Sequence, residues 1–187
     1  NVLNKSVQYI KNNFTNKDIK ILDIGCGNGA LLFELINIGF SNLKGMDYSE
    51  KSIELACNIK NYKISQGEKL CEKIEFYRED INEPLNENKE YFYDLIIDKG
   101  TFDAYMLNKD NSYFNYSNYL NTKMKDKSIF IISSCNHLKN DLLEFFTNSK
   151  NNQNFGFELV EEIPHKSFNF GGSVGQTVTT LVFKINK

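Results

Sequence analysis

Apolar positions along this chain change their period repeatedly, and each change marks an element. Val2, Leu3, Val7, Ile10 and Phe14 recur at helical spacing and predict an amphipathic helix over 2–14. Residues 20–24 (Lys-Ile-Leu-Asp-Ile) form a short apolar run followed by glycine, the pattern of a buried strand. Leu31, Leu32, Leu35 and Ile38 make the inner face of a helix over 30–38. A second strand is predicted at 42–47 and a helix from 50 to about 62. Strands follow at 73–79, with alternating character, and at 93–98 (Tyr-Asp-Leu-Ile-Ile-Asp). An irregular aromatic stretch leads to a helix over 112–124, a strand over 127–133 and a helix over 141–148. Segments 156–163 and 176–185 read as two last strands with no helix between them.

Strand and helix alternating in this way predict an α/β fold, a mostly parallel sheet with helices on both faces. Two final strands joined without a helix predict an antiparallel hairpin at the sheet edge. The polar stretches 83–89 and 150–154 read as connectors, so residues 1–187 are expected to form one domain. A chain of 187 residues buries roughly 70% of its unfolded surface and needs no disulfide or metal staple. With 41% hydrophobic and 25% charged residues, overall disorder is excluded. Lys plus Arg is 22 and Asp plus Glu 24, a net charge of −2 that does not favour a long nucleic acid as partner. The longest apolar runs are strand-length, so no membrane span is expected. Cys26, Cys57, Cys71 and Cys135 form no CxxC pair and no zinc spacing with His137 or His165, which reads as reduced thiols in a cytoplasmic chain without a metal. A monomer is expected.

The chemistry begins at Asp23-Ile24-Gly25-Cys26-Gly27-Asn28-Gly29. Three glycines at alternate positions leave a strand and enter a helix, so the backbone can turn sharply and lie close to a ligand. Asp47 falls about 20 residues further on, at a strand tip where an acid accepts hydrogen bonds from ribose hydroxyls. Ser49 is placed to cap the following helix. Together these point to an adenosine-type cofactor. The glycine spacing is not the Gly-x-Gly-x-x-Gly of dinucleotide binding, and the acid two residues ahead suits an amino group better than a pyrophosphate. S-adenosylmethionine carries such a group.

The string 23–29 resembles motif I of class I methyltransferases, the doubly wound fold with a seven-stranded, mostly parallel sheet and a C-terminal antiparallel hairpin. The string Asp98-Lys99-Gly100-Thr101-Phe102-Asp103-Ala104 resembles the protein-lysine methyltransferases that act on translation elongation factor 1-alpha. Residues 39–49, Ser133-Ser134-Cys135-Asn136, Phe168-Asn169-Phe170-Gly171-Gly172 and Leu181-Val182-Phe183 are similar to the same family, so the resemblance runs from Ile21 onward. Two departures stand out. The family's upstream Trp-Phe-Gly-Glu segment is expected to be missing from a chain that starts at Asn1 and has no Trp, and His137 stands where the family has Trp.

The resemblance implies S-adenosylmethionine as cofactor and a lysine of elongation factor 1-alpha as acceptor. It implies that Asp23, Gly25, Cys26, Gly27, Asn28, Gly29, Asp47, Tyr48, Asp80, Ile81 and Asp98 surround the cofactor, with Asp80 and Ile81 flanking adenine. Asp98 is then expected to position the acceptor amine, with its proton leaving through water. Asp103 is read either as a helix cap or as a contact to a basic substrate. Asn136 offers its amide to the amine or to the strand-four loop. Thr101 is placed near the substrate, and Phe102 and Tyr105 either line a lysine tunnel or pack in the core. Lys99 is expected in a structural ion pair, 168–172 in an ordered loop at the substrate mouth, and His165 on the surface. A small-molecule methyltransferase, a cofactor-binding regulator and a dinucleotide oxidoreductase are the competing readings.

Overall fold

The computed structural model describes residues 1–83, 92–147, 155–165, 167–170, 173–176 and 178–187, with backbone only for 167–176. In chain order the elements are α1 (Val2–Asn13), β1 (Lys20–Ile24), α2 (Ala30–Asn37), β2 (Asn42–Asp47), α3 (Glu50–Ser65), β3 (Ile74–Arg78), β4 (Tyr93–Lys99), α4 (Thr101–Tyr105), α5 (Tyr113–Lys123), β5 (Met124–Ser134), α6 (Lys139–Thr147), β6 (Gly156–Ile163), β7 (Ser167–Phe170), β8 (Ser173–Gln176) and β9 (Thr179–Asn186). A single 3-10 turn at Lys69–Lys73 precedes β3.

Seven strands form one sheet in the order β3-β2-β1-β4-β5-β9-β6. The first five are parallel, and β9 runs antiparallel to both β5 and β6. Central strands have both faces covered, which is why Ile21 to Ile24 and Leu95 to Asp98 are buried without a break. Alternation along them divides the core. Leu22, Ile24, Ile96, Phe130 and Ile132 face α4, α5 and α6. Ile21, Leu95, Ile97, Ile131 and Val182 face α1, α2 and α3. Strand order reverses between β1 and β4, so the crevice beyond their C-terminal ends is the place where this kind of sheet binds ligands.

Most boundaries agree with the periodicity to within a few residues. Four differences have identifiable causes. The stretch after β4, read as irregular, contains α4, a five-residue helix too short to show a period of its own. β5 begins at Met124 rather than 127: Met124 already pairs with Tyr93, and the left-handed Lys127 (φ 63°) and a register shift between Tyr93 and Leu95 interrupt the alternation beyond it. The last strand starts at Thr179, since Gln176 belongs to a separate two-stranded ribbon of β7 and β8. That ribbon also replaces the loop expected at 168–172. Phe168, Asn169 and Phe170 pair with β8, while Gly171 and Gly172 lie outside the described residues. Among the described residues no helix is long and apolar enough to cross a membrane.

The aromatic residues concentrate on the α4–α6 side. Phe146 is fully buried, with the rings of Phe102, Tyr116, Phe130, Phe157 and Phe183 centred 5.4 to 6.5 Å away. Most of these pairs are tilted or edge-on, as ring quadrupoles favour. Truncation there leaves a cavity that rigid neighbours cannot fill. Phe146→Ala is expected to lower stability by about 3–5 kcal/mol, read from the urea midpoint at unchanged slope.

Candidate active site

The turn after β1 is built from backbone in a region of φ that side chains avoid. Gly25, Gly27 and Gly29 have φ of 66°, 53° and 78°. A Cβ on Gly25 would lie 2.0 Å from Thr101 Oγ1, and one on Gly29 would lie 2.5 Å from the Phe76 ring. The Thr101 hydroxyl donates to the Ile24 carbonyl at 2.7 Å, so α4 is pinned against the end of β1. The Cys26 amide donates to the Met46 carbonyl at 2.9 Å, and the Gly27 amide to Asp47 Oδ2 at 3.0 Å. Asp47 Oδ1 accepts from the Ser49 amide at 2.9 Å, while Ser49 Oγ caps α3 by accepting from Ser52. Asp47 thus ties two loops together, and each oxygen keeps a lone pair for a further donor.

Two cavities meet at Gly25. One, of about 300 Å³, is bordered by Met46, Tyr48, Asp80, Ile81, Thr101 and Tyr105. The other, of about 430 Å³, is bordered by Asp23, Cys26, Gly27, Asn28, Lys99, Ser133 and Cys135. A ligand bent over the glycine turn would occupy both. Tyr48 is exposed at the rim of the first, and Tyr105 closes it from beneath, its hydroxyl donating to Asn82 Oδ1 at 3.0 Å. Asp80 accepts from the Asn82 amide at 2.9 Å, which makes it a turn acid with one face toward the cavity. In the second cavity, Asn28 Oδ1 accepts from the Ala30 amide, and burial pushes the Cys26 thiol up, so it stays protonated. Asp23 is 4% exposed. Burial lifts its pKa to about 8, Lys99 pulls it down, and the charges of Asp98 and Asp47 push it up again.

The end of β4 differs from expectation. Asp98 has no exposed surface. Its Oδ1 accepts from the Thr101 amide at 2.9 Å, and its Oδ2 accepts from the Phe102 amide at 2.8 Å and from the Tyr116 hydroxyl. Burial lifts it to about 7, against those three donors. The carboxyl of Asp98 therefore caps α4 from inside the protein, with internal donors on both oxygens. Phe102 is likewise fully buried among Tyr116, Phe145 and Phe146, so it belongs to the core and not to a channel. Tyr105 and Thr101 lie on the first cavity, away from Cys135 and Lys99.

Asp103 settles into a third role. Its Oδ2 accepts from the Cys135 amide at 2.7 Å, and its Oδ1 contacts the Ser134 hydroxyl and His137 Nδ1, the latter at 3.1 Å. It clamps the loop after β5, on which Cys135 and Asn136 are exposed. Among the described residues Lys99 forms no ion pair; it is exposed and borders the second cavity. His165 is half-buried, its Nε2 2.7 Å from Thr180 Oγ1, which corrects the surface assignment. Glu79 borders the first cavity and was not anticipated. It is held by the Tyr119 hydroxyl at 2.7 Å and by Lys123 at 2.6 Å, and its only signal was adjacency to Asp80.

A reversed parallel sheet, a glycine cradle at its switch point and an acid on each neighbouring strand define the class I methyltransferases that use S-adenosylmethionine. The residues present fit that cofactor: a turn of three positive-φ glycines, a cavity on each side of Gly25, and the carboxyls of Asp23 and Asp47 beside them to take an ammonium and ribose hydroxyls. The family described as "Methyltransferase domain" matches residues 15–175. EEF1A lysine methyltransferase 2 of Danio rerio is 40% identical over 185 residues, 97% of this chain and 73% of that protein. Protein-lysine N-methyltransferase EFM4 of Saccharomyces cerevisiae is 31% identical over 175 residues, 90% of this chain and 71% of that one. The crystal structure of magnesium protoporphyrin IX methyltransferase from Synechocystis with bound cofactor superposes with a TM-score of 0.68 at 17% identity, covering 98% and 77% of the two chains, and shares the fold. This chain belongs to the EEF1A lysine methyltransferase 2 family of S-adenosylmethionine-dependent enzymes.

Two outcomes test the site. Asp98→Ala is expected to cost about 1–3 kcal/mol through the orphaned donors of α4, seen in urea unfolding and in lost amide protection at Thr101 and Phe102. The second concerns pH. Asp23 has a folded pKa near 8 against an ordinary 3.8, so the folded state holds a proton that the unfolded state releases. Its contribution to stability therefore falls as pH rises across that window. A cation bound at Asp23 displaces the same proton. Affinity for S-adenosylhomocysteine, measured by calorimetry from about pH 6 to about pH 8, should rise by up to ~tenfold per unit, and Asp23→Asn should flatten the profile.

Proposed function

We propose that this chain transfers a methyl group from S-adenosylmethionine to the ε-amine of a lysine in elongation factor 1-alpha, acting as a cytoplasmic, single-domain monomer. The observation that carries the reading is the similarity to EEF1A lysine methyltransferase 2, spread over 97% of the chain. The yeast relative named as a protein-lysine N-methyltransferase supports the acceptor class.

In this reading Asp47 and the Gly27 turn hold the ribose, and Asp80 and Ile81 flank adenine beneath Tyr48. Asp23 receives the methionine ammonium beside Gly25, Cys26, Asn28 and Gly29. Bound there, the cofactor supplies an electrophilic sulfonium methyl. The acceptor amine must arrive neutral, and at pH 7 a free lysine loses about 4–5 kcal/mol to reach that state. Desolvation over the Gly100, Ser133 and Cys135 wall lowers that cost by disfavouring the ammonium. No carboxylate is needed as base, since Asp98 is committed to α4 and Asp103 to the loop after β5. Asp103 acts by positioning: it holds the loop on which Asn136 offers its amide carbonyl to the incoming amine. The proton passes to water.

Recombinant elongation factor 1-alpha, incubated with the protein and cofactor, should gain methyl groups on lysine by mass spectrometry. Asp23→Asn should reduce the rate at least ~tenfold at limiting cofactor, the loss expected for one charge-assisted hydrogen bond. Label transferred from the cofactor into small metabolites but not into elongation factor 1-alpha would refute the acceptor assignment.

A further inference from the structure

Asp23 and Lys99 are an acid and a base on one cavity wall that make no contact with each other. β1 and β4 are parallel, with Asp23 opposite Ile97. Alternation then puts Asp23, Ile97 and Lys99 on the same side of the sheet, with Lys99 about 7 Å further along the strand direction. Both border the cavity of about 430 Å³. Asp23 is 4% exposed and makes no hydrogen bond among the described residues. An unpartnered buried carboxyl facing a cavity is rare in folded proteins and asks for a ligand donor. Lys99 is exposed and forms no ion pair among the described residues, yet its field reaches Asp23 and opposes the effect of burial there.

The strand ends leave little freedom for this pair. Lys99 is opposite Ser133 in the β4–β5 ladder, and the next amide, Gly100, donates to the Ser133 carbonyl at 2.9 Å. The Ser133 hydroxyl is paired with Thr180 Oγ1 at 2.9 Å, so it does not compete for a ligand on that wall. A lone anion would meet the Asp23 carboxylate, and a lone cation would meet Lys99. An α-amino acid carries both charges on one carbon and satisfies both residues together.

We propose that Lys99 binds the carboxylate of the cofactor's methionine moiety while Asp23 takes its ammonium, so that Lys99 selects S-adenosylmethionine against its decarboxylated form. The assignment rests on the cofactor reading given above and extends it to the amino-acid end. It also gives Lys99 a function in place of the structural ion pair expected of it.

The test is calorimetry of the whole chain with S-adenosylmethionine and with decarboxylated S-adenosylmethionine, which keeps the ammonium and lacks the carboxylate. The unaltered protein should favour the intact cofactor by about tenfold or more. Lys99→Met should weaken the intact cofactor by a similar factor and leave the decarboxylated form unchanged or tighter. Lys99→Arg should restore most of the preference. Equal weakening of both ligands, or no change in either, would overturn the assignment. A Lys99→Met protein with unchanged cofactor affinity but a shifted pH profile of methyl transfer would place Lys99 on the acceptor side and overturn it as well. If the unaltered protein bound neither ligand, the cofactor reading itself would fall, and the assignment with it.

Discussion

A carboxylate with no exposed surface, Asp98, joins three parts of this molecule. It closes the last turn of the central strand β4, holds the first two amides of α4, and receives the hydroxyl of Tyr116 from α5. Everything α4 carries depends on that hold. Thr101 turns back onto the Ile24 carbonyl and fills the space beside Gly25. Phe102 enters the aromatic core. Asp103 reaches the loop after β5. The five residues of α4 thereby join the glycine cradle, the packing behind it and the loop after β5. A buried acid is tolerated here because three donors satisfy its two oxygens.

The fold was largely legible in the chain, and the reason is local. Parallel strands buried on both faces are continuous apolar runs, and helices that cover them show one apolar stripe, so 20–24, 42–47 and 93–98 announce themselves. The glycine turn and Asp47 were legible for the same reason: their conformational demands exclude most other residues. What was not legible depends on long-range geometry. Asp98 and Asp103 are both acids in a distinctive string, and nothing local says that one points inward to α4 and the other to a loop thirty residues later. Phe102 and Tyr105 are similar in type and three apart on a helix, yet one has no exposed surface and the other borders a cavity. α4 is too short to carry a period, and β7 and β8 are four residues each, so the alternation of Ser167 to Phe170 is too brief to announce a strand.

The cradle divides its work between backbone and side chain. Glycines at 25, 27 and 29 allow the chain to turn, while Asp47 stiffens the turn from outside by accepting the Gly27 amide. Such a loop needs little rearrangement to meet a ligand, because its dihedrals are already set by contacts with β2 and α4. The carboxyl of Asp23 stands apart from this scaffold. Among the described residues it makes no hydrogen bond, and its burial works against its charge, opposed only by the field of Lys99. Structural acids and ligand-facing acids in this site are distinguished by whether the protein itself supplies their donors.

The position of β9 has a consequence for how the chain is made. β6 is synthesised first, but it joins the sheet only through β9, which slots between it and β5. Until β9 emerges, β5 presents an open apolar edge carrying Phe130, Ile131 and Ile132, and β6 has no neighbour to pair with. During translation the first five strands can therefore assemble around the cradle while one flank remains sticky. A ribosome that stalls before β9 would display a nearly complete cofactor site on a particle prone to edge-to-edge association.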